Sequence, residues 1–430
     1  MSSAATATPV PAARAADLVR PRFPVRFVTA ASLFDGHDAA INMIRRLLQA
    51  QGAEVVHLGH NRSVDDVVAA AVAEDVQGVA VSSYQGGHLE YFTYLVDRLA
   101  EAGRPDVHVY GGGGGVIVPA EIATLEAAGV RRIFSPADGQ RLGLEKMVNL
   151  LIEECDIDLA AQTVDLDDVL AGRTGALARA ITTIEAGALP SSLRDGLTSA
   201  AAGRRAPVLG ITGTGGSGKS SLTDELLRRF RLDYGDTLRV AVLAVDPTKR
   251  RGGGALLGDR IRMNAIDTPL VFFRSMATRG STSEIPSPVP AAICACRAAG
   301  FDLVVVETPG IGQGDAAVVD VADLSLYVMT PEFGAPSQLE KIDMLDLADV
   351  VAINKFDRHG AQDALRAVRR QWARSRPGTG DPESSPIFGT VAAHFDDDGT
   401  TALYQTVRDL LCERGLPRCH PRLAPVPIRA

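Results

Sequence analysis

The sequence predicts an α/β protein: a flavodoxin-like, doubly wound unit, then a helical connector, then a phosphate-loop unit with a mostly parallel sheet. Three observations carry this. Short apolar runs alternate with helical periodicity from Arg26 to Glu154, with short loops between them. The alternation lapses over Asp156–Arg205, where Ala, Leu and Val recur among acidic residues without strand-like runs. It resumes at Val208–Ser221, V-L-G-I-T-G-T-G-G-S-G-K-S-S, an apolar run feeding the pattern G-x-x-x-x-G-K-S. A chain of 430 residues suits two or three domains. We divide it into a disordered lead-in over 1–20, a first domain over 21–155, the connector over 156–205, a second domain over 206–412 and a tail over 413–430.

Taken in order, Arg26–Ala31 is a strand and Ile41–Gln51 a helix. Ala53–Leu58, Gly78–Ser83, Val107–Tyr110 and Arg131–Phe134 are the further strands. They alternate with helices at Val64–Glu74, Leu89–Ala102 and Pro119–Ala128, and Leu142–Glu154 reads as one closing helix. The connector holds short helices at Leu159–Ala161 and Leu166–Leu170 and continues helical through Leu197. In the second domain the phosphate loop is followed by an amphipathic helix over Leu222–Phe230. Strands follow at Arg239–Val245, Phe301–Val306, Leu324–Met329 and Val350–Ile353.

Hydrophobic content of 46% with 22% charged residues is that of a globular chain, and a net charge of −8 argues against a nucleic-acid partner. No apolar run approaches the ~20 residues that cross a bilayer. Met1–Arg20 lacks the basic start and apolar core of a secretion signal. The five cysteines are odd in number and scattered, which fits a reducing cytoplasm, and Cys294 and Cys296 face different directions on a helix.

Ligands of doubly wound sheets sit beyond the carboxyl ends of the strands. Asp35-Gly36-His37, Ser82-Ser83-Tyr84 and Gly111–Gly115 gather at that edge. A lone loop histidine is ordinarily solvated. Here Asp35 can take the ring N–H of His37, fixing its tautomer and raising the basicity of the other nitrogen, the arrangement of a metal-ligating histidine. Five glycines after a strand serve no packing purpose by themselves and leave room for a large ligand against bare backbone.

These residues resemble the cobalamin-binding domain of adenosylcobalamin-dependent acyl-CoA mutases, whose pattern is D-x-H-x-x-G, S-x-L and G-G. The resemblance implies that His37 is the lower axial cobalt ligand and Asp35 its partner. It also implies that Ser82, Gly111, Gly112 and Gly113 line the crevice for the cofactor's nucleotide tail. The chain departs from the pattern at Ala40, where the family has Gly, and at Tyr84, where it has Leu.

In the second domain, Gly213, Gly215, Gly216, Ser217 and Gly218 let backbone N–H groups curl round phosphates. Lys219 supplies charge to the outer phosphates, Ser220 a hydroxyl for magnesium, and Ser221 stands in the first turn of the helix. Asp246 ends a strand and is placed to reach magnesium; Asp259, in G-D-R-I-R-M, is a further acid for the metal or its waters, and Arg262 lies close by in sequence. Lys249–Gly254, basic then glycine-rich, reads as a mobile loop over phosphates. Glu307-Thr308-Pro309-Gly310 stands where GTP-binding proteins carry D-x-x-G. Glu307 holds the metal and Gly310 senses the γ-phosphate, so 311–315 change shape on hydrolysis. Asn354-Lys355-Phe356-Asp357 is N-K-x-D, whose acid accepts from the guanine N1–H and amine and rejects adenine. Ala392 stands in Thr390–Ala393, which resembles the final guanine-contacting loop.

The segments A-V-D-P-T, G-D-R-I-R-M and E-T-P-G-I-G-Q make this domain similar to the metallochaperone branch of the phosphate-loop GTPases, in particular those that service cobalamin mutases. The resemblance implies a magnesium shell of Ser220, Asp246, Asp259 and Glu307. It also offers Gln313 to orient water and Lys249 or Arg250 to stabilise charge. Over Pro24 to Leu411 the whole arrangement resembles the amino-terminal part of the fused isobutyryl-CoA mutase family, without its acyl-CoA-binding barrel. The expected function is a cobalamin-carrying small subunit whose GTPase gates adenosylcobalamin loading and repair. Either the sequence is a fragment or the barrel is a separate subunit, and the separate mutase barrel is the preferred reading; the other expected partners are a cobalamin adenosyltransferase and a second copy through the GTPase domain. Other readings are a corrinoid carrier for a methyltransferase or a stand-alone regulatory GTPase.

Overall fold

The computed structural model describes residues 19–249, 252–258, 260–281, 283–310, 316–334, 339, 342–376, 383 and 385–426. Asp259, Arg250, Gln313, the stretch 311–315 and most of the lead-in therefore lie outside the described residues.

The first sheet is built from β1 (Arg26–Ser32), β2 (Glu54–Arg62), β3 (Gly78–Ser82), β4 (His108–Gly112) and β5 (Arg132–Phe134). Helices α1 (Ala39–Ala50), α2 (Val64–Ala73), α3 (His88–Glu101) and α4 (Pro119–Ala127) connect them. Every residue of β1 and β3 is buried, as expected of parallel strands covered on both faces. The expected closing helix is two helices, α5 (Pro136–Leu142) and α6 (Leu144–Cys155). The break falls at Gly143, whose φ of 76° lies in the left-handed region and ends the first helix.

The connector folds into α7 (Leu166–Leu170), α8 (Thr174–Glu185) and α9 (Ser191–Ala202). Leu177, Ile181, Leu193 and Leu197 are buried in one cluster with Val208, Ala241, Phe272 and Val304 of the second sheet. The connector thus packs as a layer on that sheet.

The second sheet has seven strands. These are β6 (Val208–Gly213), β7 (Val240–Asp246), β9 (Val271–Ala277), β10 (Leu303–Glu307), β11 (Leu324–Met329), β12 (Val350–Asn354) and β13 (Ile387–Thr390). Their spatial order is β13-β12-β11-β6-β10-β7-β9, all parallel. Central β6 delivers the phosphate loop into α10 (Lys219–Tyr234), and α11 (Val289–Ala298) covers one face together with the connector.

One strand crosses between the units. β8 (Ala255–Leu257) follows β7 in sequence but pairs in parallel with β2, Glu54 to Ala255 and Val56 to Leu257. The first sheet therefore has six strands, in the order β5-β4-β3-β1-β2-β8. This corrects the expectation for the glycine part of Lys249–Gly254; Arg250 and Arg251 lie outside the described residues. The glycines do not lie over phosphates; they approach the first domain, and a Cβ on Gly254 would stand 2.3 Å from the Gln49 carbonyl oxygen and 2.5 Å from that of Ala53. Lys249 donates its N–H to the Gly254 carbonyl, closing the turn that starts the strand.

Buried ion pairs fasten the same junction. Arg26 bonds Glu54 at 2.7 Å and Glu74 at 3.3 Å, and Arg279 bonds the other oxygen of Glu54 at 2.7 Å. Arg274 reaches Glu185 at 2.6 Å, and the Glu74 carboxylate accepts from the Ser275 N–H. Burial pushes the Glu54 pKa up, but Arg279 and Arg26 outweigh it and hold the group ionised well below the usual carboxylate range. Among the described residues no helix is long and apolar enough to cross a membrane.

Candidate functional site

Two sites stand at the carboxyl edges of the two sheets. At the first, β1 runs into a loop in which Asp35 is buried, 1% exposed, while the His37 side chain is 78% exposed. Asp35 Oδ1 accepts from the His37 backbone N–H at 2.8 Å and lies 2.9 Å from its Nδ1. Asp35 Oδ2 accepts from the Tyr84 N–H at 2.6 Å. One carboxylate thus fixes the imidazole and ties its loop to the loop after β3. With Nδ1 engaged, Nε2 is the ring nitrogen left for a metal. The Tyr84 ring, at the place where the family pattern has Leu, lies 5.8 Å from the His37 ring.

Beside this histidine a cavity of about 410 Å³ opens between α1, the ends of β3 and β4, and α5–α6. Ala40, Ser82, Tyr84, Gly111, Gly112 and Gly113 line it, with Met43, Phe134, Leu144 and Met147, which sequence reasoning did not single out. Those four are spread over helices and a strand end and read as ordinary core positions in the sequence. The walls are almost wholly apolar, and the buried Ser82 Oγ finds no hydrogen-bond partner among the described residues. An apolar slot with one unsatisfied hydroxyl, next to an exposed imidazole, fits a planar, mostly apolar ring system with one polar edge, such as the benzimidazole base of a corrinoid's nucleotide tail.

The glycine run needs a correction. A Cβ on Gly113 would stand 2.0 Å from the Ser83 carbonyl oxygen, and one on Gly111 would stand 2.5 Å from both Ile133 and Phe92. Those two glycines are required by packing within the protein. Gly112 is not: its Cβ would meet only the Phe134 oxygen, at 3.5 Å.

At the second site, Gly215, Gly216, Gly218, Lys219, Ser220 and Ser221 line a cavity of about 380 Å³ with Asp246, Arg262, Glu307, Gly310 and Lys355. Gly213 sits with φ 151° beneath it, where a Cβ would collide with the Val328 carbonyl oxygen at 1.9 Å. Lys219 Nζ donates to the Gly213 oxygen at 3.0 Å, which holds the ammonium in the loop. Ser220 Oγ lies 2.7 Å from Glu307 Oε1, and Thr223 Oγ1 donates to Glu307 Oε2 at 2.8 Å; Thr223 was not anticipated from the sequence. The Ser220 hydroxyl and the carboxylates of Glu307 and Asp246 are hard oxygen donors lining one cavity, a set that suits magnesium.

Asn354 binds the site together. Its Nδ2 donates to the Ser217 oxygen at 2.8 Å, and its Oδ1 accepts from the Ala392 N–H at 3.1 Å. The phosphate loop and the loop carrying Ala392 are thus clamped by one side chain. Lys355 Nζ donates to the Gly216 oxygen at 2.7 Å, and Asp357 is exposed two residues on.

Comparison with known proteins finds family models for both halves of the chain. The family model described as "Methylmalonyl Co-A mutase-associated GTPase MeaB" matches residues 177–411, more than half of the chain. That described as "B12 binding domain" matches residues 25–142. The chain is 67% identical to the fused isobutyryl-CoA mutase of Nocardia farcinica over 401 residues, covering 93% of this chain and 37% of that one. It is 61% identical to that of Cupriavidus metallidurans, covering 92% of this chain and 36% of that one. It is 54% identical to that of Geobacillus kaustophilus, covering 92% and 37%. The chain therefore spans little more than a third of the length of these curated relatives. With a phosphate loop, a guanine-type clamp and a B12-binding domain on one polypeptide, the chain belongs to the methylmalonyl-CoA mutase-associated GTPase family, MeaB.

Proposed function

We propose that the chain is the cobalamin-carrying part of an adenosylcobalamin-dependent acyl-CoA mutase of the isobutyryl-CoA type, with a GTPase that gates loading and repair of the cofactor. The observation that carries this is the pairing, on one chain, of the Asp35-oriented His37 beside an apolar slot with a phosphate-loop GTPase site. The names of the relatives support the choice of mutase. Adenosylcobalamin, when bound, supplies the radical chemistry of the rearrangement. This chain's residues hold it: His37 Nε2 offers the cobalt ligand, Asp35 keeps the imidazole in the tautomer that frees Nε2, and Ser82 gives the tail a hydroxyl partner. The Gly111–Gly113 backbone forms one wall of the slot.

At the nucleotide site, the phosphate loop and Lys219 bind the phosphates while Ser220, Asp246 and Glu307 hold magnesium, with Asp259 a further contributor. Arg262 and Gly310 face the phosphates, and Asn354, Lys355, Asp357 and Ala392 frame the guanine. Hydrolysis in such a site is chiefly positioning and charge stabilisation. The rearrangement itself takes place on an acyl-CoA-binding mutase barrel that works together with this chain. A cobalamin adenosyltransferase is the source of cofactor, two copies pair through the GTPase domain, and the scattered free cysteines fit a cytoplasmic setting.

The test is a spectral titration of the purified chain with adenosylcobalamin. The expected result is the shift to the base-off form with a histidine on cobalt, lost in His37→Ala. Absence of any shift in the wild-type chain overturns the cobalamin half of the proposal, and absence of magnesium-dependent GTP hydrolysis overturns the other half.

A further inference from the structure

We propose that the segment beginning at Pro247 and running through β8 is the coupling element by which the nucleotide site acts on the histidine loop. The inference rests on the reading that the chain binds both a corrinoid and GTP, and names how one site regulates the other.

The segment starts in the nucleotide cavity, which Pro247 lines, and the chain beyond β8 lines that cavity again at Arg262. At Ala255–Leu257 it is the edge strand of the other sheet. A strand added to a neighbouring sheet is held by backbone hydrogen bonds and moves with that sheet. Its near end is pinned: Thr248 Oγ1 accepts from the Arg279 N–H at 2.8 Å, and the Arg279 guanidinium bonds Glu54, the first residue of β2.

From β8 two routes lead to His37. The first is α1. Gly252 and Gly254 lie against the carbonyls of Gln49 and Ala50 at the helix's carboxyl end, with ideal Cβ positions 3.0 Å from the Ala50 oxygen and 2.3 Å from the Gln49 oxygen. The other end of α1 opens at Ala39, two residues after His37. A helix of 12 residues is a rod about 18 Å long, so a push at Gln49 is delivered at the histidine loop. The second route is β2, whose Asn61 Oδ1 accepts from the Phe34 N–H at 2.8 Å and whose Asn61 N–H donates to the Asp35 oxygen. Phe34 and Asn61 both hold positive φ, 64° and 56°, so this junction is a strained conformation kept by its own hydrogen bonds. Ile261 presses on the same strand, 2.8 Å from where a Cβ of Gly59 would be.

Coupling between two ligands is reciprocal, which makes the proposal measurable in the intact chain. The dissociation constant of a fluorescent non-hydrolysable GTP analogue is measured with and without saturating hydroxocobalamin, and that of hydroxocobalamin with and without the analogue. The expected result is a change of about fivefold or more, equal in both directions. In Gly254→Val the factor falls to near one, while analogue affinity without corrinoid stays within about twofold of wild type, because no group of the nucleotide cavity is altered. Retention of the full factor in a folded Gly254→Val chain overturns the proposal. So does a wild-type chain that binds both ligands independently, an outcome that leaves the proposed function standing. Failure to bind one of the ligands at all overturns that function instead. Should Gly254→Val not fold, amide hydrogen exchange of the wild-type chain decides. The analogue should change protection at 252–257 and across 39–50, and unchanged exchange at both overturns the proposal.

Discussion

Asp35 shows how much one carboxylate can organise. It is buried and accepts from two backbone N–H groups on different loops as well as facing the His37 ring. Asp35→Asn keeps the size but removes an acceptor and the charge. Partners of a metal-ligating histidine commonly account for 10–100-fold in affinity, so adenosylcobalamin should bind Asp35→Asn about tenfold or more weakly in a spectral titration, with the GTPase rate unchanged. A second histidine reports on stability. His57 is buried in β2 with Nδ1 2.9 Å from Thr29 Oγ1; burial, and after it the Arg45 guanidinium, push its pKa down to about 4. The unfolded chain takes up that proton near pH 6.5 and the folded chain only near 4. Between those values the unfolded state binds more protons, and stability falls as pH falls. The melting temperature should therefore drop between pH 6.5 and 4, and His57→Gln should flatten that slope. The candidate catalytic and ligand positions could be named from the sequence because each sits in a fixed motif. Thr223 was not, since a threonine one turn into a helix carries no mark of the Glu307 oxygen it meets.

Among the elements, the glycine run after β4 combines two requirements that look alike in sequence. Gly113→Ala forces a methyl onto the Ser83 carbonyl oxygen and should lower stability by about 1–3 kcal/mol, seen as a reduced denaturation midpoint without ligand. Gly112→Ala should leave that midpoint near wild type and weaken corrinoid binding instead, because its Cβ has ordinary room in the protein but enters the slot. Equal loss of stability in both would show that the run is packing alone. Alternation of strand and helix was readable because buried parallel strands are nearly uniform in apolar character, as β1 and β3 are. The split at Gly143 was missed because helical periodicity continues across it, and only the backbone angle reveals the stop. β9, V-F-F-R-S-M-A, escaped notice because Arg274 and Ser275 interrupt its apolar run, yet both are buried against Glu185 and Glu74. β8 was invisible for a different reason: three residues bounded by glycines gain strand structure only from a neighbour about two hundred positions away.

For the whole molecule, the seam between the two sheets is ionic as well as strand-paired. Removing one partner of a buried ion pair costs about 3–5 kcal/mol, and Glu54 serves both Arg26 and Arg279. Glu54→Gln should lower the calorimetric melting temperature and resolve unfolding into two transitions, one per domain; a single unshifted transition would refute a cooperative seam. None of this was readable from the letters, because the partners lie far apart in the chain and such charges look like solvated ones until burial is known. The borrowed strand also bears on how the protein is made. While the ribosome is still short of residue 257, the outer side of β2 has every main-chain group on offer and two valines, Val55 and Val56, beside them. At 5–20 residues per second that interval lasts on the order of ten seconds or more, during which β2 is a nucleus for pairing with a neighbouring nascent chain. Fragments cut at the connector would keep that hazard for good and should aggregate where the longer polypeptide does not.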